Sequence, residues 1–422
     1  MKLATALLAL LATIPGSAAR PALSEPASGR RVEGDGDWAQ FRGPLRDGIS
    51  PDTDLLKQWP AAGPPLLWKA SGLGTGYSAV SFSGDRLFTM GESDGRSRLL
   101  ALGLADGKVL WSADVGGPGG SRGAGPRSTP ATDGTLVVGL GQHGDLVCVK
   151  AADGKEVWRK SLPRDFGGKM MSGWGFSESP LLDGDLVVCT PGGPRGTLLA
   201  LKKETGQTAW QCAELQDQAA YASVVPVEIG GMRQYLVLTG NTLAGVSAKD
   251  GKLAWRAARQ GKTAVVDTPI YHDGVVFVSS AYGIGCNAFR ITAEGGRFKA
   301  EEIYAGTQFS SHHGGAIRVG DHVYGLGDGR MKCVELKTGK LVWEDRSVGK
   351  GAIAYADGHF VCRGERGPIG LVEATPSGYK EKGRFTLEKN GGDAAWPHPV
   401  IFGGRLYVRD WDLLHCYDLK AK

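Results

Sequence analysis

One hairpin motif recurs along the chain, and it constrains the fold more than any other feature. Its clearest copy is Cys333-Val334-Glu335-Leu336-Lys337-Thr338-Gly339-Lys340-Leu341-Val342-Trp343. This reads as a short alternating strand, a polar turn ending in Gly-Lys, and a second strand that closes on Trp. Near-copies end at Trp111, Trp158, Trp210 and Trp255, with steps of 47, 52 and 45 residues between them. A period of about 40 to 50 residues with hairpins in each unit is the signature of a β-propeller.

A second hairpin opens every unit. Its turns are Gly84-Asp85, Asp133-Gly134, Asp183-Gly184, Gly230-Gly231, Asp273-Gly274, Gly320-Asp321, Asp357-Gly358 and Gly403-Gly404, eight in all. Such pairs tolerate the positive φ of two-residue turns. The Gly-Lys-Trp hairpin has worn copies at Phe289 to Tyr304 and Leu371 to Phe385. An orphan remains at each end. Leu414 to Leu419 is a strand with no partner after it, and Leu67-Trp68 is a last strand with no partner before it. Pairing the two closes the ring and removes a long exposed edge. The expectation is therefore an all-β, eight-bladed β-propeller of four-stranded antiparallel blades, closed by its N- and C-terminal strands. Seven blades follow only if a worn unit is an insertion. The repeated Trp is expected to fill the wedge between neighbouring blades.

The rest of the composition is consistent with this. The 66 glycines among 422 residues show no three-residue period, which excludes collagen, and many fall in turns. A net charge of +5 over this length gives no argument for nucleic acid. Residues 1–19 read as a cleaved secretory signal: Lys2, the apolar run from Leu3 to Ile14, then Ser17-Ala18-Ala19. No later stretch is long and apolar enough for a membrane span. Residues 20–62 read as a leader whose aromatics, Trp38 and Phe41, need burial, and 63–422 as the propeller. The seven cysteines form no CxxC or CxxCH motif. Cys148, Cys333 and Cys416 occupy strand positions where other repeats carry Ala or Gly, and read as small buried hydrophobes.

The string Leu-x-Ala/Val-Leu, then Asp/Thr-Gly-Lys, then Trp resembles the repeat of the PQQ-like propeller family, over about residues 63–422. The resemblance implies one of two roles. Quinoprotein dehydrogenases of the family oxidise alcohols or sugars with pyrroloquinoline quinone (PQQ) and Ca²⁺. Shorter secreted members, among them the outer-membrane assembly factor BamB, act as scaffolds without chemistry. A mature length near 400 residues and the missing adjacent Cys pair and CxxCH haem site are similar to the second branch. The expected role is a non-catalytic binding or scaffold module, a secreted or periplasmic monomer with protein partners in the cell envelope. The alternative is a PQQ-dependent alcohol or sugar dehydrogenase.

Several polar-aromatic loops precede the first strand of a blade, where a propeller gathers loops around one end of its channel. They hold Trp174 and Glu178, Asp267, His312 and His313, and Trp396 and His398, with Arg127-Ser128 and Tyr221-Ser223 at matching places. These seven named side chains are the candidate cofactor funnel. Trp174 or Trp396 would supply a stacking floor for a planar ligand or a channel plug. Glu178 and Asp267 would be the Ca²⁺ carboxylates that the dehydrogenase resemblance asks for. Adjacent His312 and His313 on a strand would face opposite ways unless Gly314-Gly315 bends the chain. No catalytic triad and no phosphate loop is expected.

Overall fold

The computed structural model describes residues 38–119, 125–387 and 394–421. The predicted signal and residues 20–37 of the predicted leader lie outside those residues. The described chain is almost entirely β, with one five-residue helix, Leu162–Phe166, started by Ser161 and stopped by Gly167 at φ 67°.

Eight four-stranded antiparallel sheets form the ring, a β-propeller. Blade 1 holds strands Ser81–Ser83, Arg86–Ser93, Arg96–Gly103 and Val109–Gly116. Blades 2 to 7 follow in chain order over 131–161, 181–211, 225–258, 270–306, 317–345 and 351–386. Blade 8 takes three strands from 400–418 and its outer strand, Leu66–Ala70, from the other end of the chain. That strand pairs with Leu413–Asp418, Trp68 opposite Cys416 and Ala70 opposite Leu414. The two orphans of the sequence complete each other. Middle strands such as Leu136–Leu140 and Thr242–Ser247 are buried along their whole length, because each blade face is covered by a neighbour.

The repeat has a physical grammar. In six blades the Trp of the outer strand stands directly across from a small residue: Ala101 for Trp111, Cys148 for Trp158, Ala200 for Trp210, Gly245 for Trp255, Cys333 for Trp343 and Cys416 for Trp68. Each pair is followed by a register shift, a bulge that turns the outer strand over the next blade. In four of them the indole then bonds that blade. Trp111 donates to Ala151 O at 3.0 Å, Trp158 to Lys203 O at 2.7 Å, Trp210 to Ala248 O at 3.3 Å, and Trp343 to Thr375 O at 3.0 Å. The ring also covers a turn glycine there. A Cβ on Gly154, whose φ is 72°, would stand 2.7 Å from the Trp111 ring. The turn therefore needs Gly both for its left-handed backbone and for the ring above it. All seven cysteines are free and buried, three of them in the slot that the Trp requires to be small.

The worn copies are joints made with other parts. Tyr304 replaces the Trp of blade 5, lies across from Ala288, and donates to Leu336 O at 2.9 Å. In blade 7 the sizes are swapped, with Leu371 across from Gly383, and Phe385 packs edge-on against Trp59 at 5.7 Å. Trp59 belongs to the segment that precedes blade 8 in sequence. That segment crosses the ring. Phe82 N and Thr132 N donate to Trp38 O and Ala39 O, Ile49 bridges Tyr355, and Leu55 bridges Lys420.

Candidate functional site at the channel mouth

The loops before the inner strands meet around a cavity of about 140 Å³. A belt of hydroxyls links blades along its wall. Thr129 Oγ1 accepts from Ala79 N at 3.2 Å, Ser179 Oγ from Thr129 N at 2.9 Å, and Ser223 Oγ from Ser179 N at 3.0 Å. All four residues line the cavity. The pairs Thr129-Pro130 and Ser179-Pro180 are the sequence signal for two of its three hydroxyls. The sequence reading passed over it.

The 38–65 segment closes the cavity from the channel side. Phe41 lines it and packs edge-on against His398, ring centroids 5.0 Å apart. Behind Phe41, two buried arginines tie the segment to two separate blades of the ring. Arg42 Nη2 donates to Ala316 O at 2.6 Å in blade 6 and to Asp47 O at 2.7 Å. Arg46 Nη2 donates to Ser179 O at 2.7 Å and its Nη1 to Pro180 O at 3.1 Å in blade 3. Each guanidinium has a buried carboxylate in its field, Asp267 for Arg42 and Glu178 for Arg46. Burial lifts the Glu178 carboxyl to about 7, against the pull of its Thr190 bond and of Arg46. Burial also raises Asp267, which bonds Ser279 and accepts from Ala316 N at 3.2 Å.

Rings form most of the remaining wall. Trp396 stacks on Tyr77 at 4.3 Å, lies 5.6 Å from His313 and 6.2 Å from Trp174. Its Nε1 donates to Glu365 Oε1 at 3.0 Å. The Arg127 guanidinium carbon sits 5.6 Å from the Tyr77 and Trp174 ring centroids and 6.0 Å from that of Trp396. Its Nη1 donates to Trp174 O at 2.7 Å. Cation–π contact and this bond hold the charge at the cavity edge. Three imidazoles stand close by in their neutral form. Burial lowers His398 to about 3 and holds His313 well below the usual range, with His312 lowered as well.

Five of the seven sequence candidates line the cavity: Trp174, His312, His313, Trp396 and His398. Glu178 and Asp267 do not; they are buried elsewhere, in the electrostatic field of the closing segment's arginines. His312 and His313 are not on a strand. Gly314 and Gly315, at φ 78° and 94°, bend the chain so that both imidazoles reach one cavity, 4.9 Å apart and edge-to-face. Phe41, which the sequence marked only as needing burial, also lines it, as do Tyr77 and Tyr282, which were not singled out.

These residues do not fit a Ca²⁺-bound quinone. Ca²⁺ takes about six to eight oxygens, and a second cation beside Arg42 or Arg46 would be repelled. Among the described residues no group of three His, Cys, Asp or Glu side chains is placed to hold a metal. Trp396, a candidate stacking floor, is already stacked on Tyr77. The cavity is also small beside the ~300 to 1,000 Å³ typical of cofactor and drug sites.

An eight-bladed ring of repeated, Trp-capped hairpins defines a β-propeller built from one recurring unit. The chain belongs to the family described as outer membrane protein assembly factor BamB, whose profile matches residues 95–345. It is 28% identical over 197 residues to the assembly factor BamB of Xanthomonas campestris, covering 46% of this chain and 44% of that one. The BamB of Alkalilimnicola ehrlichii is 28% identical over 214 residues, 49% of this chain and 50% of that one. The chain thus spans about half the length of the curated relatives it matches. In fold it is similar to BamB from Moraxella catarrhalis, with TM-score 0.59, 15% identity, and coverage of 86% and 99%. It is also similar to a quinohemoprotein alcohol dehydrogenase from Pseudomonas putida, with TM-score 0.53, 12% identity, and coverage of 92% and 81%.

Proposed function

We propose that this chain is a non-catalytic binding and scaffold module that works outside the cytoplasm, with protein partners in the cell envelope, and that it takes part in assembling outer-membrane proteins. The observation that carries the reading is the closed channel. The chain's own Phe41, Arg42 and Arg46 stand below the cavity, with the buried acids Asp267 and Glu178 in the field of the two guanidinium groups. The names of the relatives support the same role. In this reading residues 1–19 are a cleaved export signal, 20–62 a leader and 63–422 the propeller, acting as a monomer. No helix of the described residues is long and apolar enough to cross a membrane.

Affinity isolation of the tagged mature protein from solubilised envelopes tests this. A stoichiometric set of outer-membrane assembly proteins is the expected result. Dye reduction with an alcohol or sugar, dependent on added PQQ and Ca²⁺, would overturn it in favour of the dehydrogenase.

A further inference from the structure

We propose that residues 40–48 form a gate across the channel, a loop that leaves it as one unit while the eight blades stay folded. Three features of the closing segment carry this.

Its backbone comes first. Arg42 and Arg46 stand at φ 63° and 57°, and Gly43 and Gly48 at 83° and 79°. A residue with a Cβ enters this left-handed region only uphill in energy. Two large side chains held there within five residues mark a loop kept in place by its surroundings, the kind of strain that gathers in switch segments.

Its charges come second. Arg42 is 3% exposed and Arg46 1%. Their hydrogen bonds end on neutral oxygens: Arg46 O, Asp47 O and Ala316 O for Arg42, and Gln40 Oε1, Ser179 O and Pro180 O for Arg46. Arg42 Nη1 and Arg46 Nε have no hydrogen-bond partner among the described residues. Asp267 and Glu178 act on the two groups through their field. Close pairing and complete hydrogen bonding are what offset the desolvation of a buried charge, and both arginines fall short of them. Outside the channel, water solvates both.

Its attachment comes third. The apolar anchors lie beyond the loop. Trp38 shares a core with Phe82 and Tyr407, and Leu55 and Trp59 share another with Phe385 and Leu419. Between Gln40 and Gly48 the large apolar side chains are Phe41, half-buried at the cavity, and Leu45, 62% exposed. Blade strands such as Leu136–Leu140 are buried along their whole length. Segments with few buried apolar contacts open at lower free energy than the fold as a whole. With both anchors seated, opening takes Phe41 from the cavity wall and joins the cavity to the channel.

The inference does not rest on the scaffold reading, and its test is separate from the envelope isolation. Hydrogen exchange of the mature protein, read by mass spectrometry without urea and in urea below the unfolding transition, decides it. The amides of Gly43, Arg46 and Gly48 are bonded to Gln40 O, Gly43 O and Arg42 O, so their exchange reports opening. Peptides over 40–48 should exchange about tenfold or more faster than the strands Leu136–Leu140 and Thr242–Ser247, with equal protection in the two halves of the loop and little response to urea. Arg42→Gln should speed both halves by one factor and leave the two strands as they were. Equal rates and an equal urea response for loop and strands would mean that the loop opens only with the whole fold. Unequal protection of its halves would mean that it is not a unit. Either result overturns the proposal, and the unmodified protein gives both readings even if the Arg42 variant folds poorly.

Discussion

Glu178 is 1% exposed, with one carboxylate oxygen on the Thr190 amide and the other without a partner. Burial lifts its carboxyl from an ordinary 4.5 to about 7, so the folded protein holds a proton that the unfolded chain releases. Stability contributed by this group therefore falls as pH rises from 4.5 through 7. His398 acts in the opposite sense. Its folded value of about 3 lies below the ordinary 6.5, so the stability it contributes is lost as pH falls from 6.5 towards 3. The two slopes oppose each other in weakly acidic solution, and above it only that of Glu178 remains. Glu178→Gln should therefore come close to the parent protein near pH 4 and exceed it near pH 8, by the order of 3 kcal/mol for a shift of this size. Urea midpoints at the two pH values measure this, and an equal gap at both would mean that Glu178 is ionised throughout. Sequence alone marked Glu178 and Asp267 as acids in a promising place. It did not pair them with Arg46 and Arg42. Arg46 meets Ser179 across 133 residues, and Arg42 meets Ala316 across 274, so no local pattern encodes the match.

The joint between neighbouring blades is the unit at the scale of the element. Trp158 is 7% exposed, faces Cys148 within its own blade, and reaches over to Lys203 O and the Gly206 turn of the next. Trp158→Ala should cost about 3 to 5 kcal/mol, since it removes a buried ring and leaves a cavity between two blades. Trp158→Phe keeps most of the packing and loses the indole hydrogen bond, for about 1 kcal/mol. Denaturant unfolding separates the two, and an unchanged midpoint for Trp158→Ala would remove the wedge from the account. The sequence carried this joint openly, because every copy must supply the same three parts: a small residue, a turn glycine and a Trp. Where the copies are worn, the structure shows substitutes. Tyr304 makes the same bond by its hydroxyl, and even in a full copy Trp255 turns back to Gln234 Oε1, at 2.8 Å, inside its own blade.

For the whole molecule, closure depends on one non-local pairing, Leu66–Ala70 with Leu413–Asp418. A chain ending after Asp410 lacks the inner partner and leaves two blade edges unpaired. It is expected to lose cooperative unfolding and to aggregate through those edges. Calorimetry and size-exclusion chromatography read both effects, and a monomer with the parent transition would show that the ring does not need its closure. The 38–65 segment adds a second global constraint. It leaves blades 1 and 2, is tied to blades 3 and 6 inside the channel, and passes blade 7 on its way to blade 8.

The repeat alone determined the class of fold, the number of blades, the packing role of the Trp and the way the ring closes. These follow from short-range periodicity and from the need of every strand for a neighbour. Tertiary structure decided what the channel contains. Its mouth is built from one short loop per blade, brought together only when the ring closes, and its floor comes from a segment ahead of the first repeat. The charges of Arg42 and Arg46 find their counterparts across the ring rather than along the chain. Non-local geometry therefore turned two candidate metal carboxylates into partners of a closing segment, and bent two adjacent histidines into one cavity.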